Sequence, residues 1–302
     1  MMDNEEISGV IAVYKPKGWT SFDVVAKLRG ILRVRRIGHG GTLDPMAEGV
    51  LPVFVGKATK ACDILPDVRK GYYAGFRLGL ETDTQDITGE VLRESSADVT
   101  KDQLREAVSH YVGEIMQVPP MYSAVKVDGK KLYELAREGK TIERQARTVR
   151  VQKITIFDYD EPSRTGHLKI LCEKGTYVRT IIHDMGRELG CGGVMTSLVR
   201  NYSAGIGVSE CMRIEEIQGR FFSEGYEGVL MDLDRCFEVY KPLKFDENVT
   251  GLYKNGVKLR PEQVSVEPDS EETYRVYGYD GEFLGIGKMI GGEFRSVKNF
   301  FT

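Results

Sequence analysis

Apolar side chains recur at helical spacing over residues 25–32, and this pattern predicts a helix that ends near Arg33. Thr20 or Ser21 comes before the pattern, and either hydroxyl is suited to cap the helix. Short apolar runs bounded by turn residues predict strands, two of which have the character of a pair. The predicted strands cover residues 10–14, 51–55 and 72–78, with 148–159 and 167–173 as the pair.

Further helices are predicted from capping residues and spacing. Thr100 and Gln103 have the spacing of a capping box ahead of an apolar helical face. Residues 130–138 and 177–189 are each followed by a glycine suited to end a helix, and residues 57–65 are also predicted to be helical. Because strands and helices mix without a βαβ rhythm, the sequence favours an α+β fold over a doubly wound sheet.

The character of the chain changes after about residue 240. Short apolar stretches alternate there with dipeptides typical of β-hairpins, namely Asn255-Gly256, Asp280-Gly281 and Gly291-Gly292. The sequence therefore predicts a large domain over residues 1–240 and a small β-rich domain over residues 241–302.

Composition is that of an ordinary globular protein, with 41% hydrophobic and 29% charged residues. The five cysteines are scattered singly, which argues against a disulfide framework or a zinc site and favours free thiols in a reducing cytoplasm. No apolar run approaches the roughly 18 residues of a membrane span. The acidic start, MMDNEEISGV, also lacks an apolar segment. We therefore expect neither a signal peptide nor a membrane anchor, and we predict a cytoplasmic location.

The net charge of −3 is weak evidence against a nucleic-acid partner, but the basic residues are unevenly distributed. They crowd into three runs, over residues 27–36, 126–131 and 144–153. Any one run is most simply a solvated face. Three such runs flanking the candidate chemistry favour a groove that follows a phosphate backbone.

The segment Gly38–Leu51, GHGGTLDPMAEGVL, carries the most suggestive chemistry. It places four glycines around one histidine and one aspartate, and a strand follows. Glycines allow close backbone approach, and Pro45 stiffens the loop directly after Asp44. Such a loop is suited to present a single catalytic carboxylate. On composition alone, a simple turn explains the same residues at least as well.

The run from His39 to Leu51 resembles the catalytic motif of the TruB family of tRNA pseudouridine synthases. Other blocks resemble further motifs of that family, in the family's order and over roughly residues 10–205. They are VYKPKGWTS (13–21), KGY (70–72), RLG (77–79), TDT (82–84), PPMYSAVK (119–126), KGTYVRT (174–180) and Leu198 with Arg200. Several ordered blocks are far more specific than one loop.

The resemblance implies an isomerase that converts the T-loop uridine of tRNA, position 55, to pseudouridine. It implies a mixed, mainly antiparallel sheet with flanking helices, followed by a PUA-like RNA-binding domain. The partner is expected to be the T arm of tRNA, with no obligatory protein partner and a monomeric chain. No cofactor or metal is expected, since the reaction is a rearrangement. The sequence agrees, because it contains no P-loop, no complete dinucleotide fingerprint and no zinc pattern.

The resemblance also assigns site residues. Asp44 is the expected catalytic carboxylate, which attacks the base or acts on the ribose, and Arg179 is the expected partner that orients it and lowers its pKa. Tyr72 is expected to stack on a flipped uracil. The other expected binding residues are His39, Tyr177, Leu198 and Lys15. From the residues alone, core packing, a loop hydrogen bond or a surface ion pair are simpler explanations for most of these side chains.

One position departs from the family pattern, since Glu48 stands where a small polar residue such as threonine is expected. Two other functions remain open at this point. One is a non-catalytic RNA-binding or RNA-folding protein on the same scaffold, and the other is a guide-RNA-dependent synthase subunit. Intact Asp44, Tyr72 and Arg179 favour the enzyme over the first alternative, and an unextended chain argues against the second.

Overall fold

The computed structural model describes residues 7–127 and 129–301. The chain groups into two units, and it crosses from one to the other several times. Unit 1 holds the described residues up to Asp44, Val50–Asp67 and the residues from Ser203 onward, and unit 2 holds Pro45–Gly49 and Val68–Tyr202.

The α-helices of the described residues are α1 (Ser21–Leu32), α2 (Lys101–Ser109), α3 (Leu132–Arg137), α4 (Val178–Glu188), α5 (Ile214–Glu224), α6 (Glu247–Lys254) and α7 (Pro261–Val264). Short 3-10 helices cover Lys57–Ala61, Val208–Glu210 and Leu233–Phe237. The strands up to the middle of the chain are β1 (Ser8–Lys15), β2 (Ile37–His39), β3 (Glu48–Gly56), β4 (Arg69–Leu78), β5 (Leu80–Thr82), β6 (Val91–Glu94), β7 (Gly113–Gln117), β8 (Lys126–Val127) and β9 (Lys130–Lys131). The later strands are β10 (Arg147–Asp160), β11 (Thr165–Glu173), β12 (Gly193–Ser203), β13 (Ile206–Gly207), β14 (Lys241–Lys244), β15 (Thr273–Tyr277), β16 (Phe283–Ile290) and β17 (Glu293–Asn299).

Helix α1 begins at Ser21 because Thr20 caps it. Thr20 Oγ1 accepts a hydrogen bond from the backbone N–H of Asp23 at 3.0 Å, and the Thr20 N–H donates to Asp23 Oδ2 at 2.7 Å. This capping box satisfies two backbone donors at the helix start and leaves the Ser21 side chain for another contact. The buried face of the helix packs in one apolar cluster with residues of β1, β3 and α5 in unit 1.

The last part of unit 1 forms a sheet in the order β14-β15-β16-β17. Asp280-Gly281 and Gly291-Gly292 join consecutive antiparallel strands of this sheet, which confirms two of the predicted hairpins. The third prediction was wrong, because Asn255-Gly256 follows Lys254 at the end of α6. Asn and Gly are favoured just after a helix as well as in a hairpin turn, so the dipeptide alone does not distinguish the two.

Residues 241–301 do not pack by themselves. Ile286 and Phe300 share a buried cluster with Phe54 and Ala58, which come from the beginning of the chain. A separate cluster fills the space between the C-terminal sheet and helices α6 and α7. The predicted division of the chain at residue 240 stays a prediction.

Unit 2 is built on strands in the order β12-β4-β11-β10-β7. Strands β4, β11, β10 and β7 pair antiparallel with their neighbours in that order, while Glu48 and Gly49 pair with β12 in parallel. This confirms the α+β class with a mainly antiparallel sheet, and it confirms the strand pair predicted over 148–159 and 167–173. Two helices are shorter than predicted. Residues 57–65 contain only the 3-10 helix Lys57–Ala61, and residues 130–138 only α3.

Gly49 closes the aspartate loop where no larger residue fits. Its φ is 103°, and a Cβ atom there would lie 2.3 Å from the backbone oxygen of Arg200. Replacing Gly49 by Ala is expected to lower the free energy of unfolding by about 3 kcal/mol or more, because strain and a backbone clash add. Gly30→Ala is the control, since Gly30 lies in α1 with open space around it. The control is expected to be neutral or to stabilise by about 0.5–1 kcal/mol. Urea unfolding measures both, and a tolerated Gly49→Ala variant would contradict the argument.

Candidate active site

The loop that carries Asp44 is anchored at its beginning by backbone contacts. The N–H of Gly40 donates to the carbonyl oxygen of Pro52 at 2.8 Å. A Cβ atom at Gly40 would lie 3.0 Å from the ring of Phe54, so glycine lets the loop lie close to β3. The Asp44 side chain is half-buried in this arrangement. The backbone therefore holds the carboxylate in place while part of it stays open to solvent.

Ser21 fixes the residue directly before Asp44. Its hydroxyl is buried, accepts a hydrogen bond from the Leu43 N–H at 2.9 Å and donates to the Leu43 carbonyl oxygen at 3.3 Å. One side chain thus satisfies both backbone groups of Leu43 and ties the loop to the first turn of α1. The sequence pointed to Ser21 only as a helix cap, and its contact with Leu43 was missed because no local pattern relates residues 22 positions apart.

Removing this hydroxyl is expected to loosen the loop. Ser21→Ala is expected to lower the free energy of unfolding by about 1–3 kcal/mol, since a buried N–H loses its partner. It is also expected to lower kcat more than it raises KM for tRNA, because the loop's carboxylate loses its fixed position. The control is Thr20→Ala, which removes the helix cap but leaves the Leu43 contact. It is expected to lower the free energy of unfolding by about 1 kcal/mol. Equal kcat values for the two variants would contradict a positioning role for Ser21.

The two other expected site residues of unit 1 lie on strands. The Lys15 side chain is fully buried at the end of β1, and its Nζ donates to the carbonyl oxygens of Pro16 at 2.9 Å and Trp19 at 2.6 Å. Lys15 therefore holds the turn that leads into α1. His39 lies on β2 opposite Val53 and is half-buried.

In unit 2, Tyr72 and Leu198 lie on β4 and β12 and are both buried. Lys70 comes two residues before Tyr72 and shares its side of the strand. Burial, together with the positive charge of Arg200, lowers the pKa of Lys70 to about 8. Arg200 is itself fully buried. This part of unit 2 thus concentrates buried positive charge near the expected base-stacking tyrosine.

Tyr177 is held by its backbone rather than by its ring. Gln117, buried at the end of β7, accepts from the Tyr177 N–H at 2.8 Å and donates to the Tyr177 carbonyl oxygen at 3.1 Å. This pair of bonds fixes the start of α4 and with it the position of Arg179 two residues later. The sequence contained no sign of Gln117.

Arg179 is buried on α4 among several polar partners of unit 2. Its Nη2 donates to the carbonyl oxygen of Tyr122 at 2.5 Å. Its Nη1 lies 3.8 Å from Asp86 Oδ2, and both side chains are 5% exposed. The guanidinium carbon lies 5.8 Å from the centre of the Tyr177 ring, within cation–π distance. The structure therefore places Arg179 beside the Tyr177 ring, with Asp86 as a buried carboxylate next to the cation.

Asp86 is in turn fixed by the polar loop around it. Its Oδ1 accepts hydrogen bonds from the Thr84 hydroxyl at 2.9 Å and from the Thr88 N–H at 2.9 Å. The adjacent Gln85, at a positive φ of 65°, accepts from the Thr180 hydroxyl on α4 at 2.7 Å. The TDT motif noted in the sequence thus leads into a loop that is hydrogen-bonded to α4, the helix of Arg179. The sequence alone did not indicate this contact.

The expected site residues fall into two sets. Lys15, His39 and Asp44 belong to unit 1, and Tyr72, Tyr177, Arg179 and Leu198 belong to unit 2. Residues 7–127 and 129–301 contain no group of three or more His, Cys, Asp or Glu side chains able to hold a metal ion.

Comparisons with known proteins agree with the motifs. The family model described as TruB family pseudouridylate synthase (N terminal domain) matches residues 29–178. The model described as tRNA pseudouridylate synthase B C-terminal domain matches residues 179–238. A curated tRNA pseudouridine synthase B from Clostridium acetobutylicum is 38% identical over 292 residues, which are 97% of this chain and 99% of the relative. This chain belongs to the TruB family.

Another TruB relative and a solved structure support the same grouping. The tRNA pseudouridine synthase B of Alkaliphilus oremlandii is 46% identical over 228 residues, 76% of this chain and 75% of the relative. The crystal structure of a Cbf5-Nop10-Gar1 complex contains a similar chain, with a TM-score of 0.75 and 25% identity. That match covers 97% of this chain and 85% of the other. Among the described residues of this TruB-family chain, no helix has the length and apolar character to cross a membrane.

Proposed function

We propose that this chain is a tRNA pseudouridine synthase that isomerises the T-loop uridine, position 55, of tRNA. One observation carries the proposal, namely the likeness over 97% of the chain to curated relatives that bear the name tRNA pseudouridine synthase B. The ordered motifs and the anchored aspartate loop support it.

The proposed reaction breaks the N1–C1′ bond of the uridine and forms a C5–C1′ bond. Uracil leaves as an anion that its carbonyl groups stabilise, turns over and bonds again through C5. The C5 proton then passes to water, and N1 takes up a proton. No electrons are gained or lost, so the reaction needs neither a redox cofactor nor ATP. A glycosidase usually needs two carboxylates, but one suffices here because the leaving anion is already stabilised.

Asp44 is the proposed catalytic carboxylate of this reaction. A half-buried position favours a fixed geometry and still leaves room for the nucleotide. Arg179 is the proposed cation that keeps Asp44 ionised and orients it. That pairing rests on the motif match, and Arg179 also lies 3.8 Å from the Asp86 carboxylate.

The target uridine must leave its stack to reach a carboxylate held in a loop. Tyr72 is the residue proposed to stack on the flipped base, with Leu198 and Tyr177 against it. His39 is proposed to support the space that the base leaves, and Lys15 to shape the loop before α1. Each of these roles stays a prediction.

Charge and domain structure support an RNA partner. Most of the first basic run is exposed, and its members on the surface are Lys27, Arg33, Arg35 and Arg36. Exposed lysines and arginines of this kind bind phosphates and release counterions. The C-terminal sheet of unit 1 is proposed to be PUA-like and to bind RNA away from the modified loop. We further propose that the chain works in the cytoplasm as a monomer and without an obligatory protein partner.

Site mapping on an unmodified tRNA transcript tests the proposal. After incubation with the purified chain, chemical mapping is expected to place one pseudouridine, at the T-loop uridine. A transcript with cytidine at that position is expected to gain none. Binding of tRNA without any pseudouridine would instead support a non-catalytic RNA-binding protein. Activity only with an added guide RNA would support the guide-dependent class.

A further inference from the structure

One face of the unit 2 sheet carries mostly exposed side chains. Side chains alternate across a strand, and on β4 and β11 one alternate set is buried, including Tyr72, Ala74, Leu168 and Ile170. The opposite set points outward. We call it the outer sheet face, and it comprises Arg69, Gly71, Tyr73, Lys153, Thr155, His167, Lys169 and Leu171, with Asn201 and Tyr202 at its edge.

The strand register places these side chains in rows across the sheet. One row runs from Thr155 on β10 through Lys169 on β11 to Tyr73 on β4. In the next row, Lys153 is opposite Leu171, which is in turn opposite Gly71. Two lysines therefore lie on neighbouring strands in neighbouring rows, beside an aromatic ring.

A cavity of about 460 Å³ opens in this face. Lys153, Lys169, Asn201 and Tyr202 line it, above a floor that includes Gly71. A Cβ atom at Gly71 would lie 2.5 Å from Asn201 Oδ1, so the glycine lets the Asn201 side chain lie against β4. Asn201 Oδ1 is buried and has no hydrogen-bond partner among the described residues. The cavity is thus lined by two cations and one unused hydrogen-bond acceptor, which suits a donor group of the ligand rather than its phosphate.

The charges of the cavity are of one sign. No carboxylate lines it, and neither Lys153 nor Lys169 forms an ion pair with another described residue. Two acidic residues on the strands of this face, Glu173 and Asp158, have other partners. Glu173 accepts a hydrogen bond from Gln152 at 3.2 Å, and Asp158 pairs with His167 at 2.9 Å. An anion is therefore the ligand that fits the cavity.

Aromatic rings stand next to these cations. Lys169 Nζ lies 5.5 Å from the centre of the Tyr73 ring, and the guanidinium carbon of Arg69 lies 5.8 Å from the centre of the Tyr202 ring. An open sheet with tyrosines and cations side by side is a surface on which RNA-binding domains stack bases and hold phosphates. An acidic peptide also matches the positive charge of this face, but it has no bases to stack on the tyrosine rings.

We propose that the outer sheet face is a second RNA-binding surface, which holds a backbone phosphate between Lys153 and Lys169 and a base against the adjacent tyrosines. It lies on the side of the sheet opposite Tyr72, so it contacts a part of the RNA other than the flipped uridine. The proposal rests on the proposed function, since it takes tRNA as the partner.

The test compares two double variants of the full chain. Lys153→Ala/Lys169→Ala removes both cations of the cavity. Lys101→Ala/Arg105→Ala is the control, because it removes two exposed positive charges from α2 in the same unit. The Kd for an unmodified tRNA transcript is measured over a series of KCl concentrations, together with kcat at saturating tRNA.

The cavity variant is expected to bind tRNA roughly tenfold more weakly and to lower the slope of log K against log salt by about 0.7–0.9, the value for one phosphate. Its kcat and the Kd of the control are expected to match wild type. An unchanged Kd and slope would overturn the proposal. So would a loss of polyglutamate binding with no loss of RNA binding, which would assign the face to an acidic protein. Failure of the proposed function would give a different result, because the wild-type chain would then form no pseudouridine.

Discussion

Asp44→Asn is expected to reduce pseudouridine formation by at least about 10⁴-fold, because the amide can neither attack as a nucleophile nor accept a proton at neutral pH. The substitution keeps the size of the side chain, and Ser21 and Gly40 hold the loop through backbone atoms. The fold and the Kd for tRNA are therefore expected to stay near wild type. Single-turnover assays with excess enzyme measure the chemical step apart from binding.

Asp63→Asn is the matched control for that experiment, since Asp63 is an exposed carboxylate in the same unit. It is expected to retain wild-type activity. If Asp44→Asn kept more than about a hundredth of the wild-type rate, another group would have to carry the reaction. A variant that lost activity together with tRNA binding would point to a role in binding instead.

Asp86→Asn is expected to lower the free energy of unfolding by about 3 kcal/mol, since it leaves the buried Arg179 without the carboxylate that lies 3.8 Å away. The amide oxygen still accepts from Thr88, so most of the loss comes from the missing charge. Activity is expected to fall as well, because Arg179 loses the charged partner that helps to hold its side chain in position. Thermal or urea unfolding gives the first quantity, and kcat with tRNA gives the second.

The control for Asp86 lies three residues earlier. Asp83 is exposed and accepts hydrogen bonds from the Glu90 N–H and the Tyr122 hydroxyl. Asp83→Asn keeps an acceptor oxygen and is expected to cost less than about 1 kcal/mol. Equal losses of stability in the two variants would contradict a specific role for the buried charge of Asp86.

Local patterns predicted several of the regular elements, but they gave no prediction for β12 or α5. The apolar spacing behind Thr20 predicted α1, and the strand patterns predicted β10 and β11 as a pair. Errors arose where one local signal serves two structures. Asn255-Gly256 ends a helix although the same dipeptide is common in hairpins, and the 57–65 helix is only a short 3-10 turn.

Contacts distant in sequence could not be predicted from one chain. The motifs pointed to Asp44 and Arg179, but they did not indicate that Ser21 fixes Leu43 or that Asp86 lies beside Arg179. These partners are ordinary polar residues until the fold brings them together. The outer sheet face was missed for a related reason, since Lys153 and Lys169 become neighbours only through the pairing of β10 with β11.

The central claim is that this chain rearranges a uridine of tRNA without any cofactor. Its most direct test uses purified protein and an unmodified tRNA transcript that carries tritium at uridine C5. Bond formation at C5 expels that tritium to water, so the account predicts release equivalent to one uridine per tRNA, from wild type but not from Asp44→Asn. Wild-type protein that binds the transcript and releases no tritium would contradict the account.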